Sequence, residues 1–198
     1  ERGEPTGVLV DNAMGLVAPP PATAVQSGEA IALALHECAR LGMTGVHDAG
    51  IGVEELAVYR QLASERALPI RVAAMLSADA VLHGGAFADA LGISPDGFFR
   101  VFAVKAYADG ALGSRGAALL EPYDDDAGNR GLLVTSPDTL ELLARASLEH
   151  GMPLCIHAIG DRGNRIALEA CERAGGGAAG LRGKRFRIEH AQVVALDD

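Results

Sequence analysis

The chain has 198 residues, a mass of 20.4 kDa, 49% hydrophobic and 22% charged residues, and a formal net charge of −9. This is ordinary globular composition, enough for one domain with its own core, and the acidic balance with no basic stripe argues against a general nucleic-acid or anionic-membrane binder. An aromatic content of 4% without tryptophan removes the stacking platforms that single-stranded nucleic acid needs.

In chain order, residues 1–27 read as an irregular segment. Val8-Leu9-Val10 suits a short strand at most, and Pro19-Pro20-Pro21 breaks both helix and central strand. Ser27 is a suitable N-cap for a helix running to Leu41 and closed by Gly42. A strand is predicted over 44–47, a helix over 53–66, and a strand over 70–76. A third helix spans 78–91, interrupted by Gly84-Gly85, and a strand follows over 100–107. A long connection, 108–135, then carries Gly110, Gly113, Gly116, Asp124-Asp125-Asp126 and Gly128-Asn129-Arg130-Gly131. Loops of this length inside compact domains are usually functional. Ser136 caps a helix with Pro137 at its first position, running to His150-Gly151. A strand over 153–157, a helix over 161–174, a flexible surface loop at Gly175-Gly176-Gly177 and a strand over 186–190 complete the chain. Helix and strand alternate throughout, which means a parallel sheet with crossover helices. A doubly wound sheet accommodates five strands, whereas a (β/α)8 barrel needs eight and typically ~250 residues. The chain begins without methionine and ends on Leu196-Asp197-Asp198, and the expectation is a segment of something longer.

Every candidate apolar stretch is cut by charge or glycine well short of the ~18 residues of a membrane helix. Glu1-Arg2-Gly3-Glu4-Pro5 is too polar to open a signal peptide. Three cysteines, Cys38, Cys155 and Cys171, show neither metal nor disulfide spacing, and their odd number favours a reducing compartment, expected to be the cytoplasm.

In α/β folds functional groups gather at the carboxyl ends of parallel strands. The predicted strands here end in His47-Asp48, in Lys105 followed by Tyr107 and Asp109, in His157 with Asp161 beyond, and in His190. Three of the six histidines are thus strand-terminal. A lone histidine at a strand end is commonly structural; two on neighbouring strands with a third group of ligand type suit a metal site. Alternation turns Glu189 away from His190, toward an ion pair with a covering helix. Lys105 interrupts an apolar strand, and alternation places it on one face with Val101, Ala103 and Tyr107. A buried ammonium is costly unless paired or deprotonated. A neutral Lys105 suits a base, a Schiff base or a carbamate bridging two metals; the structural alternative is snorkelling to Asp109. The Gly110-x-x-Gly113-x-x-Gly116 pattern fits neither dinucleotide nor P-loop spacing. Ser114 lacks a nucleophile elbow, and Asp124–Asp126 reads as a solvated turn.

Three ordered stretches carry a family resemblance: Val104-Lys105-Ala106-Tyr107-Ala108-Asp109-Gly110-Ala111-Leu112-Gly113-Ser114-Arg115, His157-Ala158-Ile159-Gly160-Asp161, and Arg187-Ile188-Glu189-His190-Ala191-Gln192. With Gly45-Val46-His47-Asp48-Ala49-Gly50 and the segment 121–131, the chain resembles the amidohydrolase superfamily. More narrowly, it resembles the branch of N-substituted formamide deformylases and related metal-dependent hydrolases. The resemblance implies part of a (β/α)8 TIM-type barrel, incomplete in this chain, with one or two divalent metal ions, zinc first and manganese, iron or nickel as alternatives. It implies Lys105, often carbamylated in the family, as the strand-four ligand, His157 as the strand-five ligand and His190 as the strand-six ligand. It leaves His47, Arg115 and Asp161 as substrate-binding candidates. The family's strand-one His-x-His pair is absent, its strand-eight aspartate would lie beyond Asp198, and its flanking β-sandwich is missing, so the chain corresponds to barrel strands two to six, with residues 28–198 as the barrel portion.

The resulting expectation is a hydrolase of C–N bonds in amides, formamides or cyclic amides, acting through metal-activated hydroxide, with this chain inactive alone. The alternatives are a non-catalytic α/β domain with structural strand-end histidines and a Schiff-base lysine barrel enzyme. The expected partners are a small-molecule substrate and, on edge-strand grounds, a second copy, with no nucleic acid and no membrane.

Overall fold

The computed structural model describes residues 6–17, 20, 22–83 and 92–198. The expectations for residues 1–5, for Pro19 and Pro21, and for the second part of the third helix with Gly84-Gly85 lie outside the described residues. Val8-Leu9-Val10 forms no strand and leads into a 3-10 turn, Asp11–Leu16. Helix α1 (Ala24–Arg40) starts about a turn earlier than Ser27 predicts. The cap is Thr23, whose Oγ1 accepts from the Gln26 amide at 3.2 Å while Gln26 Oε1 accepts from the Thr23 amide at 2.9 Å. Two donors satisfied reciprocally outweigh the single cap that Ser27 would provide.

The remaining elements are β1 (Gly45–Ile51), α2 (Val53–Ser64), β2 (Arg71–Ser77), α3 (Ala78–Leu82), β3 (Gly92–Ile93), β4 (Phe99–Tyr107), α4 (Pro137–Glu149), β5 (Leu154–Ala158), α5 (Asp161–Gly175), α6 (Ala178–Leu181) and β6 (Arg187–His190). The cap expected at Ser136 forms, its side chain accepting from Thr139 N with Pro137 at the first position. Gly175-Gly176-Gly177 is a tight turn: Gly176, at φ 65°, is the left-handed cap of α5, and α6 follows at once.

The sheet order is β1-β2-β4-β5-β6, every pair in it parallel, and the two-residue β3 adds antiparallel to the start of β4. Spatial order equal to chain order is the winding of a barrel, since a doubly wound sheet reverses at a switch point. The strands form a curled half-barrel sheet with alternating helices. One face is covered: Val72, Leu76, Val104, Leu154 and Ile156 pack with Leu56 of α2, Leu140 and Leu143 of α4, and Ala167 and Ala170 of α5. Each such aliphatic side chain contributes about 1.5–3 kcal/mol by leaving water. On the other face a small cluster forms among the described residues, Met75, Ala103 and Cys155 with Phe102 against it.

The face assignment of β4 needs one correction. Ala74 pairs with Val101 but Met75 pairs with Ala103, so Phe102 is an extra residue in the ladder. This bulge shifts the alternation by one. Val101 therefore packs toward the helices, while Phe102 and Ala103 both join the inner cluster. From Ala103 onward the expected phase holds, and Lys105 and Tyr107 face inward.

Ile156, fully buried at the centre of the covered face, gives a direct check. Ile156→Ala is expected to lower stability by about 2–5 kcal/mol in denaturant unfolding.

Candidate active site

The register aligns two rows of inward side chains at the carboxyl end of the sheet. Ser77, Lys105, Cys155 and Arg187 form one row, and Tyr107, His157 and Glu189 the next. Lys105 is 4% exposed. Its Nζ donates to the Ala106 carbonyl at 2.9 Å and lies 3.6 Å from the centroid of the Tyr107 ring. Burial pulls the amine down to about 8, against a smaller opposing pull from the Glu189 carboxylate and from Cys155. Asp109, the partner expected for a snorkelling lysine, does not take that role.

The His157 ring lies 5.4 Å from the Tyr107 ring and 4.6 Å from the His190 ring, centroid to centroid, the two imidazoles near perpendicular at 73°. His157 Nε2 sits 3.4 Å from the Gly110 carbonyl oxygen and 3.7 Å from Asp109 Oδ1. Burial lowers its pKa below the usual histidine range, with the Gly110 carbonyl opposing. The ring is therefore held neutral near pH 7, the state in which imidazole binds a metal. Tyr107, 43% exposed, borders this group, its hydroxyl 3.4 Å from the Ala49 carbonyl.

Alternation predicts that Glu189 and His190 point to opposite faces, and the structure differs. His190 and Ala191 leave the strand at φ 77° and 43°. This left-handed exit turns the His190 ring back toward His157 although Glu189 already faces inward. Glu189 pairs with Arg187 Nε at 2.5 Å, two residues earlier on the same inner face, and not with a covering helix. Cys155 beside them is pushed up to about 11 by burial, so its thiol is unreactive.

The 108–135 connection is held by two carboxylates. Asp109, 1% exposed, accepts from the amides of Ala118 at 2.9 Å, Ile159 at 2.9 Å and Gly160 at 2.8 Å. Asp161, at the start of α5, accepts from the amides of Leu120 and Arg162, both at 2.8 Å. Gly160 and Gly163 are glycines because a Cβ on either would overlap the Ala118 carbonyl or the Asp109 carboxylate. Arg115 donates from both Nε and Nη2 to Asp125, at 3.1 and 2.8 Å. Asp125 thus anchors the loop inside a turn in which the Asp126 amide donates to the Tyr123 carbonyl. Arg115 and Asp161, expected to face substrate, are engaged in the loop itself.

The structure thus places Lys105, His157 and His190 toward the carboxyl ends of the neighbouring strands β4, β5 and β6, with the two imidazoles 4.6 Å apart ring to ring, and leaves His47 apart. Strand β1 runs on to Ile51, so His47 is not strand-terminal. It pairs with Ala73 in the lower half of the sheet, and its ring packs against Phe102 at 5.0 Å. Its neighbour Asp48 accepts from the Tyr59 hydroxyl at 2.6 Å on the helix-covered side. Sequence reasoning missed the anchoring role of Asp109. The signal available was a lone acid two residues after an apolar strand and directly before a glycine, at the start of a loop too long to hold itself.

Comparison with known proteins places the chain in a family. Residues 1–198 match the model of the amidohydrolase family. The chain belongs to the amidohydrolase family. Within it, the chain is 33% identical over 200 residues to YtcJ of Bacillus subtilis (strain 168), covering 98% of this chain and 36% of that protein. It is 34% identical over 212 residues to LONG AFTER FAR-RED 3 of Arabidopsis thaliana, covering 98% of this chain and 35% of that protein. It thus spans about a third of the length of these curated relatives. Among solved structures, an uncharacterized metal-dependent hydrolase from Pyrococcus horikoshii OT3 superposes with a TM-score of 0.79 at 28% identity, over 93% of this chain and 36% of that one.

The Asp109 anchor is open to test. Asp109→Ala leaves three buried amides without an acceptor, at about 1–3 kcal/mol each. The expected result is a loss of at least about 3 kcal/mol in chemical unfolding, with Asp109→Asn losing less because it keeps one acceptor oxygen.

Proposed function

We propose that this chain supplies part of the active site of a metal-dependent hydrolase acting on C–N bonds, in amides, formamides or cyclic amides. Lys105, His157 and His190 are the proposed metal ligands and zinc the proposed ion; imidazole with oxygen ligands also suits manganese, iron or nickel. The observation that carries the reading is the convergence of a buried lysine and two imidazoles at the carboxyl ends of three neighbouring parallel strands, where this architecture performs its chemistry. The family match and the metal-dependent neighbour support it.

The donor chemistry fits a divalent ion. His157 is neutral, and His190 stands 4.6 Å from it, ring to ring. Among the described residues no three His, Cys, Asp or Glu groups gather where they could hold a metal, and the third donor proposed from this chain is Lys105. An ammonium is no ligand, but a carbamate is. With its pKa lowered to about 8, roughly a tenth of Lys105 is free amine at pH 7, against a few parts in ten thousand for an ordinary lysine. The ammonium first loses a proton to solvent; the free amine nitrogen then adds to the carbon of CO2 and loses a second proton, and the buried cation becomes an anionic oxygen donor. A divalent ion bound there supplies an electrophile for the substrate carbonyl and lowers the pKa of water. The chain's own residues hold this arrangement: Gly110 fixes the ring of His157, Tyr107 walls the mouth, and the Asp109-anchored loop borders it. Because three ligands leave a coordination sphere incomplete, the 198-residue chain by itself is proposed to be inactive.

Metal analysis of the full-length protein tests the reading. His157→Ala, His190→Ala and Lys105→Met are each expected to lower bound zinc by at least tenfold while circular dichroism is unchanged. Wild-type metal content in all three variants would contradict it. At fixed dissolved CO2, a carbon-13 carbamate signal at Lys105 should grow as pH rises through about 8, because deprotonation creates the reacting amine. A signal independent of pH, or a lysine trapped by borohydride with a carbonyl compound, would favour other lysine chemistry.

A further inference from the structure

Two glycines of the long loop, Gly110 and Gly116, face a carboxylate that the reading above does not use. A Cβ on Gly110 would stand 2.5 Å from both carboxylate oxygens of Asp11, and one on Gly116 would overlap the same carboxylate; Gly113, between them, faces nothing within 4 Å. Neither Gly110 nor Gly116 has a positive φ, so space rather than backbone freedom requires glycine at these positions. Two glycines of the Gly110-x-x-Gly113-x-x-Gly116 pattern thus form a seat for the chain's own Asp11 carboxylate.

Asp11 reaches the seat from the 3-10 turn Asp11–Leu16, with its backbone at φ 50°. Its Oδ2 is buried and accepts no hydrogen bond. Both features cost free energy, the orphan acceptor most, and such costs persist where the surroundings over-determine the geometry. The seat lies at a sensitive point. The Gly110 amide donates to the Gly116 carbonyl at 3.2 Å and the Gly116 amide to the Ala111 carbonyl at 3.0 Å. These bonds close a small ring of backbone, and the carboxylate rests against both glycines that pin it. The outward group of that ring is the Gly110 carbonyl, 3.4 Å from His157 Nε2.

We infer that Asp11 is a positioning residue for His157: its carboxylate, seated between Gly110 and Gly116, sets the tilt of the Gly110 peptide, and the Gly110 carbonyl orients the imidazole. As a claim about metal affinity this rests on the proposed ligand role of His157; as a claim about the orientation of His157 it stands alone. Groups that orient a metal-binding histidine typically change metal affinity 10–100-fold.

The test uses the full-length protein and three variants, with two readouts. Nitrogen-15 shifts of the His157 ring are recorded without metal, and zinc affinity is measured by competition with a chelating dye. Asp11→Ala empties the seat from the side of a surface turn, and Gly116→Ala fills it while keeping Asp11. Both are expected to move the His157 ring shifts and weaken zinc binding about tenfold, with the thermal midpoint of Asp11→Ala unchanged. Asp11→Asn keeps the shape and is expected to restore both readouts. Unchanged ring shifts and unchanged affinity in Asp11→Ala overturn the inference, as does Asp11→Asn behaving like Asp11→Ala. If the wild type binds no zinc, the metal reading fails, and the ring shifts alone decide the role of Asp11.

Discussion

The carboxylate of Asp109 is the interaction on which the site depends. It is the second residue after β4, it is buried, and it collects three backbone amides from two stretches of chain far apart in sequence, Ala118 on one side and Ile159 and Gly160 on the other. A carboxylate that accepts several amides is held more firmly than any neutral loop contact. Here it ties the end of one barrel strand to the turn leaving the next, and it draws the long connection down over both. The Gly110 carbonyl that meets His157 is the next residue along, so the imidazole takes its orientation from the same knot.

Around that knot the chemistry is set by burial more than by charge pairing. Lys105 has no carboxylate within ion-pair distance among the described residues. It lies between its own backbone and the Tyr107 ring, which explains why its amine is pulled toward the free base. His157 is lowered for the same reason. The ion pair of Arg187 with Glu189 on the inner face neutralises itself within β6. It therefore adds no net charge of its own beside Lys105.

Much of this was legible in the sequence, and the exceptions have identifiable causes. The alternation of helix and strand, the lysine inside an apolar strand and the histidines at the ends of β5 and β6 follow from period and position alone. The phase of β4 did not, because a bulge at Phe102 inserts one residue that no periodicity records. The inward turn of His190 was hidden by the same assumption of regular alternation, broken by a left-handed backbone at a non-glycine residue. His47 read as strand-terminal because the predicted strand spans 44–47 only, whereas β1 continues to Ile51. Asp11 was invisible, since the contact that gives it meaning lies about a hundred residues away, on glycines that look like a loose loop.

The central claim is that Lys105, His157 and His190 share one metal centre. The direct measurement is a crystal structure of the full-length protein grown with zinc, with anomalous diffraction recorded on both sides of the zinc edge. The account predicts a peak about 2.0–2.1 Å from a nitrogen of each imidazole, with density for a carboxylated Lys105 in contact with it. A zinc peak elsewhere, with both imidazoles unliganded and Lys105 a plain amine, would contradict it.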